Sequence, residues 1–178
     1  MKSKIMLPVV LALFVCAALV YVVTNHTTKN INVTRSAIQY LEVEPVAATQ
    51  TKIKIDGKLY RPLFSPIRFE GKISVEGYDF TQNTPNIHIN STMKNNGIHM
   101  GRLSYQAPID ADFMIKELGS GMIWFDERFE KMNIWTTVSW GQNDKKEPRM
   151  YIVTGDTYEQ AMQNQNDMRE RFGEGFVP

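Results

Sequence analysis

The N-terminus constrains this chain most. Lys2 and Lys4 precede an uncharged run from Ile5 to Val23. At about 1.5 Å per helical residue, these nineteen positions reach roughly 28 Å, close to the thickness of a bilayer's hydrocarbon core. A helix satisfies its own backbone groups there, which lipid cannot do. Pro8 falls in the first turn, where its missing N–H costs little. Tyr21 stands near the far end, where an amphipathic ring suits the interface.

Three readings of this run compete: an uncleaved signal anchor, a cleavable secretory signal, and a lipoprotein signal ending at Cys16. Val15-Cys16-Ala17 has tolerable spacing for cleavage, yet the apolar Leu19–Val23 would follow the cut. Secretory signals also carry apolar cores of only about 7–15 residues. Val15 is bulky where a lipoprotein signal wants a small residue. The signal anchor is therefore preferred, with Cys16 a small hydrophobe inside the helix. The two lysines before the span set the N-terminus in the cytoplasm and the rest of the chain outside it. The expected partition is a cytoplasmic 1–4, a transmembrane helix over 5–23 with the lipid bilayer as its partner, and a juxtamembrane linker over 24–35. A β domain over 36–155, a helix over 156–173 and a tail over 174–178 follow.

Charge and cysteine content remove whole classes of function. The 178 residues hold 20 Lys+Arg against 19 Asp+Glu, so no basic footprint for nucleic acid exists. Without Lys2 and Lys4, 18 basic and 19 acidic residues remain, a net −1. A near-neutral domain is not built to lie on anionic lipid as a whole. One Cys excludes an intrachain disulfide framework and multi-Cys metal sites. With 43% hydrophobic residues, a folded domain is expected.

The exposed part reads as short strands between turn signals. Ala37–Val43 is a first strand, stopped by Pro45. Asp56-Gly57, between the alternating Lys52–Ile55 and Lys58–Tyr60, predicts a tight hairpin. Phe69–Tyr78 alternates, with Phe69, Gly71, Ile73, Val75 and Gly77 on one face. Asn95-Asn96-Gly97 marks a second turn, between Asn86–Asn90 and Ile98–Tyr105. Met122–Phe125, Met132–Trp140 and Met150–Val153 supply further strands. Spacing of roughly eight to twelve residues predicts a mainly β fold, an antiparallel β-sandwich of roughly seven to nine strands. One C-terminal helix, Thr157–Phe172, begins at a capping-box spacing and ends before Gly173. Its stripe is thin, so it should pack on the sheet edge or fray. Asp56-Gly57 through Phe64, and Phe69-Glu70-Gly71 through Tyr78–Thr81, resemble small anchored proteins of Gram-positive bacteria. That resemblance assigns no residue a role.

Chemistry-bearing residues are sparse. Of three histidines, His26 lies in the linker, while His88 and His99 fall on neighbouring strands. A cross-strand His pair can be half a metal site, but the alternation of Ile87, His88 and Ile89 points His88 to water. Asp110 and Asp112 could offer oxygen ligands to Ca²⁺, yet two acids are too few. Asp126, Glu127 and Glu130 could supply the carboxylate pair of a glycosidase, or simply a solvated loop balanced by Arg128 and Lys131. No nucleophile elbow occurs. Sequons at Asn25, Asn32 and Asn90 matter only where glycosylation exists.

Aromatics give the remaining signal. Trp135 and Trp140 have opposite parity on one expected strand, so a sandwich buries only one of them. The other, with Phe129 and the acidic connection beside it, is the expected ligand or partner surface. The sequence thus reads as a membrane-anchored, extracytoplasmic, non-catalytic binding or envelope-accessory module with a protein or glycan partner, no cofactor and no metal. The alternative is an extracytoplasmic hydrolase of a wall polymer or glycan.

Overall fold

The computed structural model describes residues 3–25, 28–43, 47–62, 65–106, 117–137 and 148–178. A helix, α1 (Ser3–Asn25), precedes a run of strands: β1 (Thr28–Leu41), β2 (Thr49–Tyr60) and β3 (Arg68–Val75). A short helix, α2 (Asp79–Asn83), leads to β4 (Ile87–Asn95), β5 (Ile98–Gln106) and β6 (Glu117–Asp126). β7 (Met132–Thr137), β8 (Arg149–Thr154) and α3 (Tyr158–Phe172) complete the chain. The fold is mainly β with a C-terminal helix.

The sheet is not a sandwich. Each strand pairs antiparallel with the next, and β8 returns to β1, closing an eight-strand up-and-down barrel. Both architectures need the same period-two alternation. Closure depends on the stagger between strands, which alternation does not encode. β1 runs fourteen residues, with Thr28–Gln39 on β2 and Ala37–Leu41 on β8. Residues 28–35, expected as linker, are therefore the first half of a strand.

Asp56-Gly57 is not a turn either. β2 passes through it without a break, and Ile53, Ile55 and Leu59 all face the core. Gly57 lies opposite Gly71 of β3. A Cβ on Gly57 would strike the Glu70 carbonyl oxygen and lie 2.7 Å from the Gly71 Cα. This glycine serves close strand approach, with Phe69 crowding the same spot. The Asn96-Gly97 turn does form, with φ of 43° and 82° closing the β4–β5 hairpin.

Side chains fill the barrel. Phe69, Tyr105, Phe125 and Phe129 are fully buried among Ile53, Ile55, Leu59, Ile73, Ile89, Leu103 and Ile134. An eight-strand barrel is just wide enough for such a packed interior. With no sheet edge to cover, α3 lies on the outer wall instead. Ala161, Met168 and Phe172 bury against Ile38, Tyr40, Ile98, Trp124 and Val153. The Tyr40 hydroxyl donates to Gln165 Oε1 at 2.7 Å. Thr157 caps the helix by accepting from the Gln160 N–H, and the Gly173 N–H closes it on Arg169. Among the described residues no helix is long and apolar enough to cross a membrane; on α1 the described side chains are those of Val10–Tyr21.

Candidate functional site

Up-and-down order puts the α1–β1 junction, the β2–β3 connection, the β4–β5 turn and the β6–β7 loop at one mouth of the barrel. Four polar side chains converge there. Arg61 follows the last residue of β2, Lys94 is on β4, His99 on β5, and Glu127 opens the β6–β7 loop. Lys94 and His99 are register partners. A bulge between Ser91 and Met93 makes this possible. It breaks the parity that keeps His88 and Asn90 outside, so Lys94 falls on the same side as His99.

The β6–β7 loop is rigidly built. Asp126 Oδ1 accepts from the N–H groups of Arg128 and Glu130 at 3.2 and 2.8 Å. Phe129 has φ 52° and drives its ring into the core. There it stacks on Phe125 with centroids 4.9 Å apart and meets Phe69 edge-on at 5.2 Å. Arg35 Nε donates to the Phe129 carbonyl at 3.0 Å. Glu127 is thereby aimed into the mouth. Its Oε2 pairs with an Arg61 terminal nitrogen at 2.7 Å, and its Oε1 stands 3.6 Å from both Lys94 Nζ and His99 Nε2.

His99 is 1% exposed and lies against Phe125. Burial, and then the Lys94 ammonium, push its pKa below the ordinary value; Glu127 opposes them. The ring is therefore neutral at pH 7. The Ser91 hydroxyl donates to the Met93 carbonyl at 2.9 Å, and its Oγ lies 3.4 Å from His99 Nδ1. Nε2 faces Glu127 Oε1. At 3.6 Å no hydrogen bond forms, and Nε2 has no partner among the described residues. Arg61 Nε is also buried without one.

These groups line a groove of about 330 Å³, with Pro62, Ser65 and Pro66 on its rim. A second groove of about 580 Å³ continues it past Arg61 to Tyr60, Arg68 and Asn90. The Arg68 guanidinium lies 4.7 Å above the Tyr60 ring. Glu127 is the one carboxylate among the described residues lining either groove. Two cations facing one carboxylate, Arg61 and Lys94, with Arg68 in the adjoining groove, can hold an anion.

Of the expected aromatic surface, the two described members, Phe129 and Trp135, do not share a face. Phe129 is 0% exposed, because its left-handed backbone turns the ring inward; it forms no rim to any surface. Trp135 is half-buried on the outer wall beneath the Arg149 guanidinium, 4.6 Å from the ring centroid. Trp140 lies outside the described residues, as do His26, Asp110 and Asp112. His88 is exposed opposite Glu70, away from His99. Of the three acids of the loop, only Glu127 enters the groove. Asp126 is engaged by backbone N–H groups, and Glu130 stands exposed 4.0 Å from Arg128. No cluster of three or more His, Cys, Asp or Glu that could hold a metal occurs among the described residues. Sequence reasoning missed Arg61, Lys94 and His99 as a group. Arg61 lies far from the Lys94–His99 hairpin in the chain, and only the bulge turns Lys94 inward. Comparison of the chain with protein-family models, curated proteins and solved structures finds no match.

Proposed function

We propose that this chain is a single-pass, membrane-anchored extracytoplasmic protein whose barrel is a non-catalytic binding module of the cell envelope. The observation that carries the reading is the convergence of Arg61, Lys94 and His99 on one carboxylate in a mouth groove. The packed interior leaves recognition to this mouth and the outer wall. The anchor rests on the uncharged Ile5–Val23 and on α1, whose 23 residues extend about 34 Å. Its described apolar side chains, Leu11, Leu13, Phe14 and Leu19 among them, stand half or more exposed, as lipid-facing residues do. The barrel begins three residues after α1 ends, so its mouth groove is held at the membrane-proximal end.

A hydrolytic reading has one observation in its favour, the position of Glu127 beside His99 in a concave groove. It needs a second carboxylate there, and Asp126 and Glu130 are turned to other partners. Alkaline carbonate washing and protease treatment of intact protoplasts test the proposal. The full chain should stay in the membrane pellet and lose its barrel to external protease. Release by carbonate, or digestion only after lysis, overturns it.

A further inference from the structure

We infer that the mouth groove is a binding site for a phosphate group, with Glu127 as an internal anion that occupies it when no phosphate is bound. The inference deepens the reading of the barrel as a binding module and rests on it. It stands on how poorly one carboxylate fills the cradle. Glu127 makes a single close contact, to Arg61 at 2.7 Å. Lys94 and His99 are each left at 3.6 Å, and Arg61 Nε and His99 Nε2, both buried in the groove wall, have no hydrogen-bond partner. A planar carboxylate offers two oxygens. A tetrahedral phosphate offers three or four over a wider span, enough to bridge the Arg61 fork and the Lys94 ammonium together. With a monoanion, His99 Nε2 would accept from the P–OH or donate to a phosphate oxygen, according to its tautomer. A dianion would instead draw a proton onto that ring and accept from it.

Glu127 is free to leave. Its side chain is 31% exposed at the groove's open side, and rotation toward solvent hands Arg61 to the incoming oxygens. Arg68, in the adjoining groove, adds a cation beyond the first contact. The attraction is local to the mouth, so the near-neutral charge of the whole domain does not oppose it. Tyr21 of α1 lines the first groove and Thr28 lines the second. In an anchored chain this places the site at headgroup depth. The phosphate can then come from an anionic lipid headgroup or from solution.

Nuclear magnetic resonance of the full chain with labelled histidines separates these sources, with His99→Asn assigning the ring signal. In zwitterionic micelles the probe is inorganic phosphate, against chloride at equal ionic strength. In nanodiscs, phosphatidic acid, whose phosphate is a monoester, is compared with phosphatidylcholine. A saturable His99 shift with phosphate alone assigns a soluble ligand, and one with phosphatidic acid alone a headgroup; both support the site. Arg61→Gln should weaken either response about tenfold. Glu127→Gln, which removes the competing anion, should strengthen it by a similar factor. No saturable shift with either probe, an equal shift with chloride, or weaker binding in Glu127→Gln overturns the inference. The micelle arm is indifferent to membrane topology, so its failure is distinct from failure of the anchor.

Discussion

Replacing Phe129 by Ala tests whether the β6–β7 loop is held by its buried ring. The side chain is fully buried, stacks on Phe125 and meets Phe69 edge-on. Removing such a ring from a core costs about 3–5 kcal/mol in transfer and cavity terms. Each aromatic pair adds roughly 0.5–1.5 kcal/mol, which partly overlaps that figure. A ~4 kcal/mol loss lowers the melting temperature of a domain this size by about 8–16 °C. The backbone gives a second, opposite handle. At φ 52° any L residue is strained, by about 1–2 kcal/mol relative to Gly. Phe129→Gly should therefore be about 1 kcal/mol more stable than Phe129→Ala, although it removes more atoms. Urea unfolding of the full chain in zwitterionic micelles, followed by tryptophan fluorescence, measures both. A loss below about 0.5 kcal/mol for Phe129→Ala, as for an exposed residue, would refute the buried reading. Ala more stable than Gly would refute the backbone argument.

Three further outcomes are expected. Gly57→Ala places a methyl against the Glu70 carbonyl and Gly71; it should cost more than about 3 kcal/mol in thermal melts, where a true hairpin glycine facing solvent would not. Asp126→Ala removes the acceptor for two loop N–H groups and should cost about 1 kcal/mol, read as a shift in urea midpoint at constant slope. His99 faces Lys94, Arg61, Glu127, Ser91 and Phe125 and is held neutral below its ordinary pKa. The unfolded chain therefore takes up the proton first as pH falls below 6.5, and stability should drop through that window down to the folded pKa. Asp167, depressed by Lys131 and Arg171, loses its contribution only below the carboxylate range, near 3.8 and lower. His99→Asn should flatten the upper window and leave the lower one; a pH profile unchanged in His99→Asn contradicts this.

Alternation made the strands legible, and capping residues made α3 legible. Phe69, Ile73 and Val75 face inward as their spacing requires, and Asn96-Gly97 turns where two positive φ angles are needed. Three features lay beyond such patterns. Closure comes from β8 meeting the C-terminal end of β1, Ala37–Leu41, a pairing set by stagger. Gly57 was misread because a glycine that lets two strands approach has the same local signature as one that turns a chain. The mouth site was half legible: Glu127 stood out among the acids, but Lys94 reaches it only through an unpaired residue at a bulge. Phe129 misled for a related reason, since a left-handed backbone reverses the side its neighbours suggest.

The proposal that α1 anchors the chain and holds the groove against the bilayer is tested most directly by position-specific quenching. In a Cys16→Ala chain, a fluorophore at Ser65→Cys marks the groove rim, and one at Gln82→Cys marks α2 at the opposite mouth. With spin-labelled lipid headgroups in nanodiscs, the probe at position 65 should be strongly quenched and the probe at position 82 untouched. Equal quenching at both positions, stronger quenching at 82, or none at either would contradict it.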